Sequence, residues 1–187
     1  MEIKNELQRL LRVGVDFGGV LSCHSGDRGS GGHVNVSIDM KLGLDSLYTL
    51  KQISSLHLVS FCGATRAKET AASINKIDTK LFDGGLYFTS DSKAPAKDKG
   101  YVCQMLGLDV LIDDTLDILE DIAKHNQCPV LIWFKGDPQF KDDRKASHAS
   151  ILEARDWSDV VTICTKLQPY PIRPNPSIVP KKKLYPI

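Results

Sequence analysis

A short apolar segment that stops at an aspartate and a glycine turn is the strongest constraint on the fold of this chain. The segment spans residues 12–20 and reads RVGVDFGGV. An apolar run bounded by glycines is typical of a buried, central strand in a parallel sheet. In open α/β sheets, ligands bind beyond the carboxyl ends of such strands. The sequence therefore predicts that Asp16 lies at a ligand-binding edge of the sheet.

Segments with strand-like and helix-like patterns alternate along the rest of the chain. Apolar periodicity predicts helices over residues 44–53, 64–75, 97–106, 116–124 and 156–167, and buried strands over 57–61, 109–114 and 129–134. Weaker patterns predict a short helix over 3–11, a strand or flap over 33–38 and a short strand over 86–88. Because strands that alternate with helices build parallel sheets, we predict a three-layer α/β/α sandwich with a mainly parallel, Rossmann-like sheet.

The length of the chain fits one domain, which we expect over residues 1–168, because 187 residues suffice for a full hydrophobic core. A glycine-rich segment within residues 22–41 is predicted to be an inserted loop or flap. Residues 169–187 hold six of the nine prolines and three consecutive lysines, which predicts a basic, proline-rich tail. The lysines are either a localisation or acidic-partner signal or simply solvated side chains.

Charge and cysteine content narrow the class of protein. The net charge of +1 does not indicate a strong attraction to nucleic acid. The five cysteines include no C-x-x-C pair, which argues against a zinc ribbon or a disulfide scaffold and favours an intracellular, cytoplasmic location. We expect no signal peptide, because the first residues lack an apolar core. We also expect no membrane span, because no apolar run approaches about 20 residues.

Polar side chains end several of the predicted strands or begin the helices beside them. Ser60 closes the second strand, Lys99 lies early in a helix, and Asp113 and Asp114 end a later strand. Each alone has an ordinary explanation as a cap, a turn residue or a solvated side chain. Together with Asp16 they supply what a phosphate site needs, since carboxylates hold Mg²⁺ while an ammonium and a hydroxyl bind phosphoryl oxygens. Asp16 would then be able to attack phosphorus.

These segments resemble the four motifs of the haloacid dehalogenase (HAD) superfamily, over roughly residues 12–135. Residues 13–20 resemble motif I, a strand followed by Asp-x-Asp-x-Thr/Val, and residues 58–60 resemble the strand and Ser or Thr of motif II. Lys99 resembles the motif III lysine, with Lys93 and Lys97 as alternatives, and residues 110–114 resemble the acidic motif IV. A receiver domain is not favoured, because there the acidic pair comes first in the chain and the lysine last.

The resemblance implies a Mg²⁺-dependent phosphatase that hydrolyses phosphomonoesters through an aspartyl phosphate. It implies that Asp16 is both nucleophile and metal ligand, that Gly18 offers a carbonyl ligand, and that Asp114 is a further ligand. Asp113 is implied as a ligand or as an acid beside the ligands. The remaining two residues, Ser60 and Lys99, would hold the phosphoryl oxygens.

Gly18 is the main departure from the family pattern, because it stands where the family has a second aspartate that acts as general acid and base. Loss of such a group typically costs about 10²–10⁴-fold in rate. His24 on the following loop is a candidate substitute, beside the simpler view that it has no role. The alternatives are therefore an impaired module that binds metal, phosphate or a protein partner, and phosphotransfer from esters with good leaving groups.

The spacing of the motifs leaves no room for a large cap domain. Asp16 and Ser60 are 44 residues apart, and Ser60 and Lys99 are 39 apart. An uncapped site suits a phosphorylated substrate that is macromolecular, or a domain covered by a partner chain. The sequence does not predict the oligomeric state.

Overall fold

The computed structural model describes residues 9–23, 40–89, 95–139 and 142–167, with the side chains of residues 95–97 excepted. The predicted strand at 33–38, most of the 22–41 loop with His24, the tail at 169–187 and the side chains of Lys93 and Lys97 lie outside the described residues. The described elements, in chain order, are β1 Leu11–Val15, α1 Leu44–Lys51, β2 Ser54–Phe61, α2 Ala64–Ile77, β3 Gly85–Thr89, α3 Pro95–Leu106, β4 Val110–Asp113, α4 Leu116–Lys124, β5 Val130–Phe134, β6 Ile151–Ala154 and α5 Trp157–Lys166.

The strands form a six-stranded sheet in the order β3-β2-β1-β4-β5-β6, and every neighbouring pair is parallel. The predicted parallel sheet and the central position of the first strand are confirmed, since β1 lies between β2 and β4. The direction in which successive strands are added reverses between β1 and β4. Strands β2 and β3 extend the sheet from β1 toward one edge, and strands β5 and β6 extend it from β4 toward the other edge. In such sheets a crevice opens at the carboxyl ends of the two strands on either side of this reversal.

Two hydrophobic cores lie on opposite faces of the sheet, which confirms the three layers. Strand residues such as Val15, Leu58 and Ile112 pack with α1, α2 and α5 on one face. Residues of alternate register, such as Leu111 and Leu131, pack with α3 and α4 on the other face. This alternation follows from the two-residue period of a strand, and it places the sheet between two layers of helices.

The amino ends of β1 and β4 are locked together by a buried aspartate. Asp109, 2% exposed, accepts hydrogen bonds from the Arg9 guanidinium at 2.6 and 2.5 Å and from the backbone N–H of Arg12 at 2.9 Å. Further along β1, Gly14 leaves room for the Leu108 side chain, because a Cβ there would lie 2.6 Å from Leu108 Cδ1. The register of the two strands, and hence the position of Asp16 beside β4, follows from these contacts.

The sequence patterns missed one strand and misplaced the ends of others. Strand β6 was not predicted, because it is a four-residue edge strand in which only Ile151 and Ala154 are buried, so it lacks an apolar run. Strand β2 starts earlier than predicted, at Ser54, whose buried hydroxyl donates to the carbonyl of Leu50 at 2.7 Å. The end of the helix predicted over 3–11 is wrong, since Leu11 begins β1, and its residues 3–8 lie outside the described residues. No helix in the described ranges is both long and apolar enough to cross a membrane.

Candidate active site

Asp16 directly follows β1 and opens a tight turn over residues 16–22. Its backbone N–H donates to the carbonyl of Ile112 in β4 at 2.9 Å, which ties the start of the turn to the neighbouring strand. Within the turn, the backbone N–H of Ser22 donates to the carbonyl of Phe17 at 3.0 Å. Gly19 has a φ of 74°, a conformation that side chains with a Cβ rarely adopt. The turn thus holds Asp16 over the crevice between β1 and β4.

The turn brings the Asp16 carboxylate against the two acids at the end of β4. Asp16, Asp113 and Asp114 each offer a carboxylate oxygen, and these oxygens all lie within 4.8 Å of one another. Asp16 and Asp113 are buried, at 7% and 0% exposed, while Asp114 is partly exposed. We call these three residues the carboxylate cluster. Three negative charges this close repel one another strongly unless a cation lies among them.

Lys99 lies in the first half of α3, and its ammonium group contacts two acids of the cluster. Its side chain is 1% exposed, and its Nζ lies 2.6 Å from Asp113 Oδ2 and 3.1 Å from Asp16 Oδ2. Burial alone would lower the pKa of this lysine, but the carboxylates of Asp113 and Asp16 raise it above its ordinary value. Lys99 is therefore a buried ammonium that joins the acid of β1 to the first acid of β4.

Asp113 already has a partner for each of its oxygens. Oδ2 accepts from Lys99, and Oδ1 accepts from the backbone N–H of Thr115 at 2.9 Å. Burial raises the pKa of Asp113 above its ordinary value, against the opposing effect of Lys99. These contacts make Asp113 the residue that orients Lys99, and they leave Oδ1 of Asp16 better placed to take a metal ion than either oxygen of Asp113.

The cluster fits a divalent cation on two counts. If all groups are ionised, three carboxylates and one ammonium leave a net charge of −2. Among the described residues, no group donates a hydrogen bond to Oδ1 of Asp16, although this oxygen is buried. A buried oxygen without a partner is costly, and a hard cation such as Mg²⁺ binds carboxylate oxygens of this kind. Asp16 and Asp114 are therefore the residues that would hold it.

The pKa of Asp114 gives a testable pH dependence. Burial and the charges of Asp113 and Asp16 raise this pKa well above its ordinary value of 3.8. A raised carboxyl pKa means that the folded state binds the proton more tightly, so stability is lost as pH rises from 3.8 through the raised value. In metal-free protein, we expect the Tm of Asp114→Asn to exceed that of the wild type by a margin that grows over this window. Thermal melts of both proteins in chelator, from about pH 4 to neutral pH, measure the margin.

Mg²⁺ provides the matched control for this pH dependence. If Mg²⁺ binds the cluster, it should raise the Tm of the wild type more at neutral pH than in acid, because it would replace protons on the carboxylates. The same addition should raise the Tm of Asp114→Asn by less. A margin between the two proteins that shrinks with rising pH would contradict the charge repulsion described above.

Ser60 and Gly18 lie at the same edge of the sheet as the cluster. The register pairs Val15 of β1 with Leu58 of β2, so Ser60, 6% exposed, extends two residues further toward that edge. Gly18 lies in the turn after Asp16 and forms an isolated backbone bridge with Ser22. The structure therefore places these two predicted residues near the cluster, while their roles toward metal and phosphate stay predictions.

Two residues near the cluster were not singled out from the sequence. The pKa of the Cys62 thiol is raised above its ordinary value, mainly by burial and then by the charge of Asp16. The charges of Arg66 and Lys99 oppose this shift without reversing it. Cys62 follows the end of β2, and Arg66 lies in the first turn of α2, which begins without an acidic residue. A basic residue in the first turn of the helix that follows β2, and a cysteine directly after that strand, is the pattern that would have indicated them.

The fold and the cluster define an α/β protein with an acidic, lysine-linked site at the reversal point of a parallel sheet. No protein-family model and no curated protein matches the sequence. The structure is similar to that of an uncharacterized protein from Listeria monocytogenes serotype 4b, with a TM-score of 0.62 and 16% identity. The match covers 85% of this chain and 99% of the Listeria chain, so the two share a fold.

A second solved structure is similar over a smaller part of the chain. It is a provisionally named haloacid dehalogenase-like hydrolase from Burkholderia xenovorans LB400, with a TM-score of 0.48 and 16% identity. The match covers 64% of this chain and 55% of the other. A similarity this limited carries no argument about function.

Proposed function

We propose that this chain is a HAD-like, Mg²⁺-dependent phosphatase that hydrolyses phosphomonoesters at the carboxylate cluster. The observation that supports the proposal best is the state of Asp16. One of its oxygens pairs with Lys99, while the other is buried and has no partner among the described residues. A carboxylate that is fixed by one oxygen and open at the other suits the binding of a metal ion at the open oxygen, and attack on phosphorus would use the oxygen that contacts Lys99.

The residues around Asp16 would divide into those that bind the phosphoryl group and those that bind the metal ion. Lys99 and the Ser60 hydroxyl would bind oxygens of the phosphoryl group, and Asp113 would keep Lys99 in place through their 2.6 Å contact. Gly18 would offer its backbone carbonyl, and Asp114 its carboxylate, on the metal side of the site. Mg²⁺, when bound, supplies positive charge that offsets the repulsion between Asp16 and a phosphate dianion.

The chemistry would proceed in two steps. An oxygen of Asp16 attacks phosphorus in line, the bond from phosphorus to the ester oxygen breaks, and the alcohol leaves with a proton drawn from solvent. Water then attacks the aspartyl phosphate, releases inorganic phosphate and restores the carboxylate. Because Gly18 has no acid to protonate the leaving oxygen, aryl esters should react faster than alkyl esters.

Gly18 also favours a second function, a non-catalytic HAD-like module that binds metal and phosphate or a protein partner. Such a module would keep the cluster and Lys99 for binding and lack the proton transfer that turnover needs. Metal binding that is not accompanied by hydrolysis of any ester would favour this module over the phosphatase.

A phosphatase screen with Mg²⁺ tests the proposal. It should include alkyl and aryl phosphomonoesters and a phosphopeptide, each assayed with Mg²⁺ and with chelator. We expect hydrolysis that requires Mg²⁺ and is fastest with aryl esters. Turnover that persists at the same rate in chelator would rule out the metal-dependent mechanism.

Gly18→Asp is expected to speed the hydrolysis of alkyl phosphates, by up to about 10²–10⁴-fold, because it restores a general acid. Gly18 is not among the glycines with positive φ, so its backbone conformation does not require a glycine. Gly18→Asn is the matched control, since it has nearly the same shape and no acidic proton. Equal rates for the two variants on alkyl esters would mean that an acid at residue 18 does not reach the leaving group.

A further inference from the structure

The chain has two tryptophans, and both donate a hydrogen bond to a loop that carries an acid of the cluster. The indole Nε1 of Trp133 donates to the backbone carbonyl of Asp114 at 3.1 Å. The indole Nε1 of Trp157 donates to the backbone carbonyl of Val20, in the turn that follows Asp16, also at 3.1 Å. We name residues 113–115, which are the last residue of β4 and the two that follow it, the β4 loop. The turn over residues 16–22 is the β1 loop.

Trp133 is fixed within the sheet on one side of the β4 loop. It is 0% exposed and pairs in register with Asp113 across β4 and β5. The Lys135 ammonium lies 3.7 Å from the centroid of its ring and is itself held by Glu153 of β6 at 3.0 Å. The indole N–H is therefore a rigid donor to Asp114, the first residue beyond the end of β4.

Trp157 is fixed in the opposite core, under the β1 loop. It is the first residue of α5, is 7% exposed, and packs against Phe134 with ring centroids 5.5 Å apart. The backbone at Gly43 lies so close that a Cβ there would be 2.2 Å from the indole ring. The surroundings thus leave the ring of Trp157 little freedom to move away from the β1 loop.

The carboxylate cluster explains why these loops need such anchors. Like charges push Asp16 and Asp114 apart, and both lie just past the last paired residue of their strands. We propose that Trp133 and Trp157 are positioning residues, which hold the two loops against this repulsion so that Asp16 and Asp114 stay close enough to share one cation. The role in metal affinity rests on the proposed function, whereas the anchoring of the loops does not.

Trp133→Phe and Trp157→Phe remove each donor and keep most of the buried ring. Leu131→Val in β5 and Val160→Ala in α5 are the controls, because both side chains are fully buried on the same elements. Amide hydrogen exchange of the metal-free, full-length chain should rise in the β4 loop for Trp133→Phe and in the β1 loop for Trp157→Phe. Neither control should show this selectivity, and circular dichroism and Tm confirm that each variant folds.

Calorimetric titration with Mg²⁺ is the second readout. Loss of a group that orients a metal ligand typically costs about 10–100-fold in metal affinity, which we expect for each tryptophan variant. Unchanged affinity in the controls, at a similar loss of Tm, would support positioning over a general loss of stability. Exchange and affinity that change as much in the controls as in the tryptophan variants would overturn the proposal.

The two readouts separate this proposal from the proposed function. If the wild type binds no Mg²⁺ but exchange still rises selectively in the two loops, the anchoring stands and the metal-dependent phosphatase fails. If the wild type binds Mg²⁺ and neither tryptophan variant alters exchange or affinity, the phosphatase stands and the anchoring is wrong.

Discussion

Replacing Lys99 by methionine is expected to lower the free energy of unfolding of the metal-free protein by about 3–5 kcal/mol at neutral pH. The side chain is 1% exposed and contacts both Asp113 and Asp16, so its removal leaves two buried carboxylates without their cation. Methionine is unbranched and reaches to the position of the lysine Cε, so it keeps most of the apolar stem and removes mainly the charged group. Urea unfolding in chelator measures the difference.

The loss should depend on the charge state of the cluster. In acid the carboxylates take up protons, so the difference between Lys99→Met and the wild type should shrink. Lys124→Met is the matched control, because Lys124 is exposed on α4 and its replacement should change stability by no more than about 0.5 kcal/mol. A Lys99→Met protein as stable as the control would mean that Lys99 does not compensate the cluster.

Asp16→Asn is expected to abolish Mg²⁺-dependent phosphatase turnover, by on the order of 10⁴–10⁶-fold, with the fold retained. The asparagine amide cannot attack phosphorus to form an acyl phosphate, and its oxygen is a weaker metal ligand than a carboxylate. Asparagine has nearly the same volume and still offers Lys99 an oxygen, so the protein should fold. Initial rates on an aryl phosphate, with circular dichroism on the same samples, measure both effects.

Asp45→Asn is the control for this substitution, since Asp45 is exposed in the first turn of α1 and is not one of the acids of the cluster. It should hydrolyse the aryl ester at the wild-type rate. Purifying the three proteins in parallel also tests for a contaminating phosphatase, which would give all of them equal activity. An Asp16→Asn protein that keeps the wild-type rate after that test removes Asp16 from the mechanism.

The sequence predicted the sheet and the strand that carries Asp16 because both depend on local patterns. A continuous apolar run marks a strand buried on both faces, as in β1, β4 and β5, and its end is marked by the first charged or glycine residue. In a parallel sheet the carboxyl ends meet at one edge, so polar residues such as Asp16 and Asp114 at several strand ends were expected to come together.

The separate roles of the three acids of the cluster could not be predicted from the sequence. The resemblance to motif IV leaves open whether Asp113 is a metal ligand or an acid beside the ligands. The contacts with Lys99 and with the Thr115 N–H show that both of its oxygens already have partners. Trp133 reaches Asp114 because β5 lies beside β4, a neighbour relation that no local pattern contains. Strand β6 was missed because an edge strand need not be apolar.

The central claim is that the carboxylate cluster binds one divalent cation, and a crystal structure of the protein with Mn²⁺ in place of Mg²⁺ tests it most directly. The anomalous scattering of Mn²⁺ identifies the ion without reference to the protein geometry. We expect one peak about 2.1 Å from Oδ1 of Asp16 and from a carboxylate oxygen of Asp114, with Lys99 still paired to Asp113. A saturated crystal with no peak at these two residues, or with the ion bound elsewhere, would contradict the claim.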